Sequence, residues 1–182
     1  YKKLLANLPP KTKIVRMNTN GSRLIKELED ILKNKIMVIV TLSLDGVQET
    51  HDYVRWPIKW TNYTKSVTKY KNLQKQYPLL KLNTWTTVSS LNVANLPKIL
   101  DFTSDHNLDH DWAFLDRPSV FNVKYKNRFT KKAKVILQSS SYPECRKIAD
   151  SVAVSDDNDV DIMIYIQHQD NLRKINYTDY IL

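Results

Sequence analysis

Apolar residues follow two rhythms along this chain, and their succession predicts its elements. Residues 13–18, Lys-Ile-Val-Arg-Met-Asn, read as a short strand running into Asn18-Thr19-Asn20-Gly21. Ser22 then stands where a helix cap belongs, ahead of Leu24, Ile25, Leu28, Ile31 and Leu32 at helical spacing, with Asn34 and Lys35 at the end. Residues 36–42 are an almost unbroken run of β-formers, which reads as a parallel strand covered on both faces. That strand delivers Ser43 and Asp45 to a second corner, Ser43-Leu44-Asp45-Gly46. These corners hold the only two glycines of the chain, and glycine is kept where the backbone turns sharply or another group comes close.

A connection through His51, Arg55 and Pro57 leads to a helix over residues 60–76, whose stripe is Tyr63, Val67, Tyr70 and Leu73. Residues 80–88 alternate Leu80, Leu82, Thr84, Thr86 and Val88, a third strand, with Ser89, Ser90 and Asn92 at its end. Asn95 and Pro97 read as the N-cap and an early position of a helix reaching about residue 107. Residues 112–115 supply a fourth strand. Strand and helix in alternation imply right-handed βαβ units on a parallel sheet, hence the α/β class. The rhythm weakens after Pro118. Residues 121–140 fit strand, helix or both; 139–143 read as a linker, 161–166 as a short helix or strand, and 177–182 as a tail. The chain therefore divides into a sheet domain over residues 1–120 and a small C-terminal extension over 121–182.

Length and composition narrow the class. At 182 residues and 42% apolar content there is enough for a substantial core. No apolar run approaches the roughly 18–20 residues of a membrane span, so no membrane partner is expected. No secretory leader opens the chain, and Cys145 is the single cysteine, which points to a reducing, cytoplasmic setting and an inert thiol in a polar loop. The chain starts at Tyr1 rather than methionine, as a fragment would. The formal charge is +9, and eight of the basic residues fall in residues 122–147 against Glu144 alone. Asp150, Asp156, Asp157, Asp159 and Asp161 follow. A solvated basic face is the stronger reading and makes a nucleic-acid partner unlikely. A non-enzymatic α/β module that binds nucleic acid through residues 122–147 is kept as the alternative.

Polar residues gather at the carboxyl ends of the predicted strands, where ligands bind in parallel α/β folds. They are Asn18, Thr19 and Asn20, then Ser43 and Asp45, then Ser89, Ser90 and Asn92, with His51, Asp52 and Arg55 just downstream. Their hydroxyls and amides suit a ribose or an amino acid, and an arginine can fork onto a carboxylate. The chain has no Walker loop, no Gly-x-Gly-x-x-Gly and no Gly-x-Ser-x-Gly elbow. His106 and His110 have passable metal spacing among Asp105, Asp109 and Asp111, but read better as a polar turn. Trp56, Trp60, Tyr63 and Tyr70 offer stacking faces for bases, although helical spacing makes most of them core.

Thr19-Asn20-Gly21, then Ser43-Leu44-Asp45-Gly46, then His51-Asp52-x-x-Arg55 resembles the middle of a radical S-adenosylmethionine (radical SAM) enzyme of the SPASM or twitch type. Thr87-Val88-Ser89-Ser90-Leu91-Asn92 followed by Leu96-Pro97 is similar to that family's next strand and helix. The resemblance covers about residues 12–118 and implies parallel strands three to six of a partial (β/α) barrel. The C-terminal extension would then be a degenerate twitch or SPASM-like region.

The same resemblance implies site roles. Ser43 would contact the ribose or methionyl part of S-adenosylmethionine, and Arg55 its carboxylate. Asp45 and Gly46 would shape the turn, Asn20 would sit near the ribose, and Val88 and Asn92 would lie near the adenine. His51 and Asp52 would brace the loop, and Asp116 and Arg117 would face the substrate side. The family holds a [4Fe-4S] cluster on a Cys-x3-Cys-x2-Cys loop, which this chain lacks. The implied parent cleaves S-adenosylmethionine reductively to start radical chemistry on a substrate such as a peptide or protein, fed by an external electron donor. The 182 residues alone would be inactive, and the first strand, without its barrel neighbour, would make them unstable or self-associating.

Overall fold

Four parallel strands, β1 (Ile14–Thr19), β2 (Met37–Ser43), β3 (Leu80–Val88) and β4 (Asp109–Phe114), form one sheet in the order β1-β2-β3-β4. The architecture comes from a computed structural model, which describes residues 2–5, 7–124, 128–153 and 160–181. The register pairs Thr19 with Leu42, Ser43 with Trp85 and Val88 with Phe114, so the carboxyl ends of the strands line up along one rim. Among the described residues, no helix is long and apolar enough to cross a membrane.

Sequential strand order makes every crossover turn the same way, which puts the crossover helices on one face. These are α2 (Leu28–Lys33), α3 (Glu49–Val54), α4 (Trp60–Gln76) and α5 (Leu96–Asp105); a four-residue α1 (Lys2–Leu5) precedes the sheet. The packing agrees. Val38, Val40, Leu42, Leu82 and Val88 share one buried cluster with Leu28, Ile31, Tyr63, Val67, Tyr70, Leu96 and Ile99.

The opposite face is open. It carries Arg16, Asn18, Thr41, Ser43, Lys81, Asn83, Trp85, Asp109 and Asp111, each half-buried or exposed. The apolar run of β2 thus does not mean cover on both sides: Met37 and Ile39 lie half-buried on the open face, while Val38, Val40 and Leu42 are fully buried.

Three other expectations shift. The helix after the first corner starts at Leu28 instead of near Ser22. The reason is tertiary: Tyr70 on α4 accepts from the Ile25 N–H and donates to the Arg23 carbonyl, which holds residues 23–25 in a non-helical path. Asn95 does not cap α5. Its Oδ1 accepts from the Val47 N–H at 2.7 Å and so pins the second corner. The fourth strand begins at Asp109, with His110 turned to the helix side, where its Nδ1 lies 2.9 Å from the Thr84 hydroxyl.

After β4 the chain is helical, with α6 (Arg128–Gln138), α7 (Pro143–Ser151) and α8 (Val160–Arg173). Ala133, Leu137, Cys145, Ile148 and Ala149 belong to the same buried cluster as the sheet. Cys145 accordingly sits buried in α7, where burial raises its thiol pKa, rather than in a polar loop. A second, smaller cluster joins Tyr53, Phe129, Ile162, Ile166 and Ile181. Tyr1, Lys126, Asp156, Asp157, Asp159 and Leu182 lie outside the described residues.

Candidate functional site at the strand ends

The rim is built around Asp45, the first polar side chain past β2. Its carboxylate is buried, accepting from the Thr87 N–H at 2.8 Å and pairing with Arg55 Nη1 at 3.0 Å. Asn92 reaches the same place: its side-chain amide donates to the Asp45 and Thr87 carbonyls, at 3.1 and 2.9 Å. Its Oδ1 accepts from the Ser89 N–H at 2.7 Å. The Thr86 hydroxyl donates to the Leu44 carbonyl. Together these bonds stitch the end of β2 to the end of β3.

Burial pushes the Asp45 pKa up, and the Thr87 N–H and the Arg55 guanidinium pull it back. Gly46 lets the first turn of α3 press on this corner; a Cβ there would meet the backbone of Thr50 and His51 within 2.9 Å. His51, fully buried, stacks between Trp60 and Tyr63 at centroid distances of 5.3 and 4.7 Å. Burial first, and the Arg55 charge second, lower its pKa to about 4. Asp52 accepts from the Trp60 N–H and pairs with Lys59 at 3.2 Å, so it braces the start of α4. At the first corner, Gly21 has φ +68° and lies against the Tyr63 ring.

The structure brings Asp45, Arg55 and Asn92 into one network, while the other sequence-indicated residues lie around it. Ser43 is half-buried on the open face, in register with Trp85, and its hydroxyl carries no hydrogen bond among the described residues. Asn20 is exposed at the first corner and accepts from the Ser22 N–H at 3.1 Å. An open cavity of 630 Å³ borders it, lined by Thr19, Asn20, Ser22 and Arg23 among others. Val88 is fully buried in the core on the helix side, so only its backbone meets the rim. Asp116 and Arg117 are exposed beyond β4.

Other candidates resolve as structure. His106 ends α5 with Nδ1 2.8 Å from the Phe102 carbonyl, and His110 lies on β4. No group of three metal-ligating side chains occurs among the described residues. Tyr63 and Tyr70 are fully buried core, and Trp56 is exposed under the Arg173 guanidinium. In the basic stretch, Lys134 and Arg146 donate to the Val152 and Ser140 carbonyls.

No family model and no curated protein matches this chain.

Sequence reasoning missed two contributors. Thr87 acts through its backbone N–H, which no residue type announces. Trp85, 39% exposed between Ser43 and Asp111, was accessible from the period-2 alternation of residues 80–88, which puts Lys81, Asn83, Trp85 and Thr87 on one face. The Thr41 hydroxyl donates to Asn83 Oδ1 at 2.9 Å on that face. The assembled rim can hold a small polar ligand by hydroxyl, amide and guanidinium groups, beside a polar sheet surface.

Proposed function

We propose that this chain is part of a radical SAM enzyme, with its sheet forming four strands of a partial (β/α) barrel whose inside is the open polar face. The observation that carries the reading is the sheet itself. Parallel strands in sequential order, helices on one face only and polar corners level at the carboxyl rim are what a barrel segment requires.

The residues fit S-adenosylmethionine in part. The Ser43 hydroxyl is unengaged and the Asn20 amide is exposed. Arg55 uses one nitrogen on Asp45, and a guanidinium has five donors, so others remain for a carboxylate. In this reading Asp45 orients Arg55, while Asn92 and Gly46 hold the turn that presents Ser43. The residues do not fit a [4Fe-4S] cluster. Cys145 is a single buried thiol in α7, so the cluster and its electron donor are assigned to chain beyond these 182 residues. The cofactor, once cleaved by such a cluster, supplies a radical for hydrogen abstraction from a substrate such as a peptide.

The deciding experiment has two arms. The reading frame preceding Tyr1 is expected to encode a Cys-x3-Cys-x2-Cys loop; a frame without one removes the cluster from the proposal. Calorimetric titration of S-adenosylmethionine into the encoded protein is expected to show saturable binding, weakened about tenfold by Arg55→Lys through loss of the forked contact. Equal affinity in the variant would sink the carboxylate role of Arg55.

A further inference from the structure

Between the main core and the smaller C-terminal core lies a second cavity, away from the strand-end network, of 200 Å³. Leu91, Ala94, Phe129, Ile136 and Ile181 supply apolar wall. Its polar groups differ in state. Thr50 donates to the Tyr180 carbonyl at 3.3 Å, and Asn95 Oδ1 is taken by the Val47 N–H.

Ser90 is not satisfied in this way. Its N–H donates to the Phe121 carbonyl at 2.8 Å, which fixes its backbone, yet its hydroxyl is fully buried and has no partner. Buried hydroxyls are nearly always hydrogen-bonded, so an orphan lining a cavity signals a missing acceptor or donor. Lys98 also lines the cavity, is exposed, and makes no ion pair among the described residues. One cavity thus combines an apolar wall, an unmet hydroxyl and an unmet positive charge.

We infer that this cavity binds a short aliphatic carboxylic acid carrying a second oxygen on its chain. The carboxylate pairs with Lys98, the chain fills the apolar wall, and the second oxygen satisfies the Ser90 hydroxyl. Size supports a small ligand. Drug-sized pockets run to about 300–1,000 Å³, whereas a cavity near 150 Å³ already takes a benzene ring, so about six to eight carbons suit this one. The cavity's walls come from α5, α6 and the C-terminal segment, so an occupant ties the helical extension to the sheet domain. The inference is independent of the radical SAM reading.

The test is a ¹H–¹⁵N titration of the full 182-residue chain with 4-hydroxybutanoate, 6-hydroxyhexanoate and 8-hydroxyoctanoate, and with hexanoate and 1,6-hexanediol. Saturable shifts confined to the cavity residues are expected, with one hydroxy acid preferred. The preferred acid should bind about fivefold tighter than hexanoate, the worth of one ordinary hydrogen bond. Ser90→Ala should erase that difference. Lys98→Gln, at an exposed position that leaves folding intact, should erase the preference for acids over the diol. Shifts that do not saturate, that scatter over the surface, or that Lys98→Gln leaves unchanged would overturn the inference.

Discussion

Asp45 shows how one carboxylate can hold a corner together. It is buried, so its charge is tolerated only because Arg55 and the Thr87 N–H compensate it. Arg55→Gln leaves that charge without its counterion and is expected to cost about 2–4 kcal/mol in urea unfolding, less than for a fully buried pair because Arg55 keeps some exposure. Adding Asp45→Asn to Arg55→Gln should recover part of the loss, a coupling that a double-mutant cycle measures. His51 makes a different demand. Its folded pKa of about 4 lies below the unfolded value of 6.5, so the unfolded chain binds the extra proton between those values. Stability from the neutral imidazole is therefore complete above pH 6.5 and drains as pH falls toward 4, by up to about 3 kcal/mol. Asp45, with its raised pKa, works in the opposite direction from pH 3.8 upward, so the His51 slope reads cleanest near pH 6. Urea midpoints from pH 7.5 to about 5 should fall in the parent chain and stay flat in His51→Phe; equal slopes would show that His51 is not the group titrating.

At the scale of elements, α4 is the beam on which both corners rest. Tyr63 on its buried face touches Gly21, stacks on His51 and meets Trp60 at 5.6 Å. A Cβ on Gly21 would come within 2.6 Å of that ring, at a backbone φ of +68°. Gly21→Ala is expected to destabilise by about 2–4 kcal/mol from the left-handed conformation and the clash together, and Tyr63→Leu in the same chain should restore part of it. Tyr63→Phe alone should leave the thermal midpoint unchanged or raise it, since the lost hydroxyl is buried without a partner; a clear drop would reveal a bond to that oxygen. The clarity of α4 in the sequence has the same origin. Its stripe Tyr63, Val67, Tyr70 and Leu73 is the buried face, so helical period and packing agree, and its bounds follow. The strand Leu80–Val88 is legible because alternation and one-sided burial coincide. The start of α2 is not, because a hydroxyl 45 residues away decides the path of Ile25. Nor is the use made of the site residues: spacing put Asp45 and Arg55 at one corner, but their pairing, and the diversion of Asn92 and Asn95 to backbone groups, depend on how β2 and β3 meet.

On the scale of the whole molecule, the sheet has two edges, β1 and β4, and each is hydrogen-bonded on one side only. An unpaired strand edge is a template for another chain. The β1 edge has features that favour this and features that oppose it. Ile14 is an apolar residue, 49% exposed, at the start of the strand, and the open face beside it is uncovered. Lys13 and Arg16 are both exposed and put like charge on any second copy that approaches in the same way. The balance makes association through β1 weak, reversible and salt-sensitive: added salt screens Lys13 and Arg16 while leaving the apolar contact intact. Sedimentation velocity on the 182-residue chain over about µM to mM concentrations is expected to show a monomer giving way to dimer, earlier at high salt. Ile14→Lys should shift that equilibrium back toward monomer without lowering the thermal midpoint, because the side chain is exposed in the monomer. A single monomer at every concentration and salt would mean that the two basic residues suffice to guard the edge. Association that Ile14→Lys leaves unchanged would place the contact elsewhere, with the β4 edge as the next surface to alter.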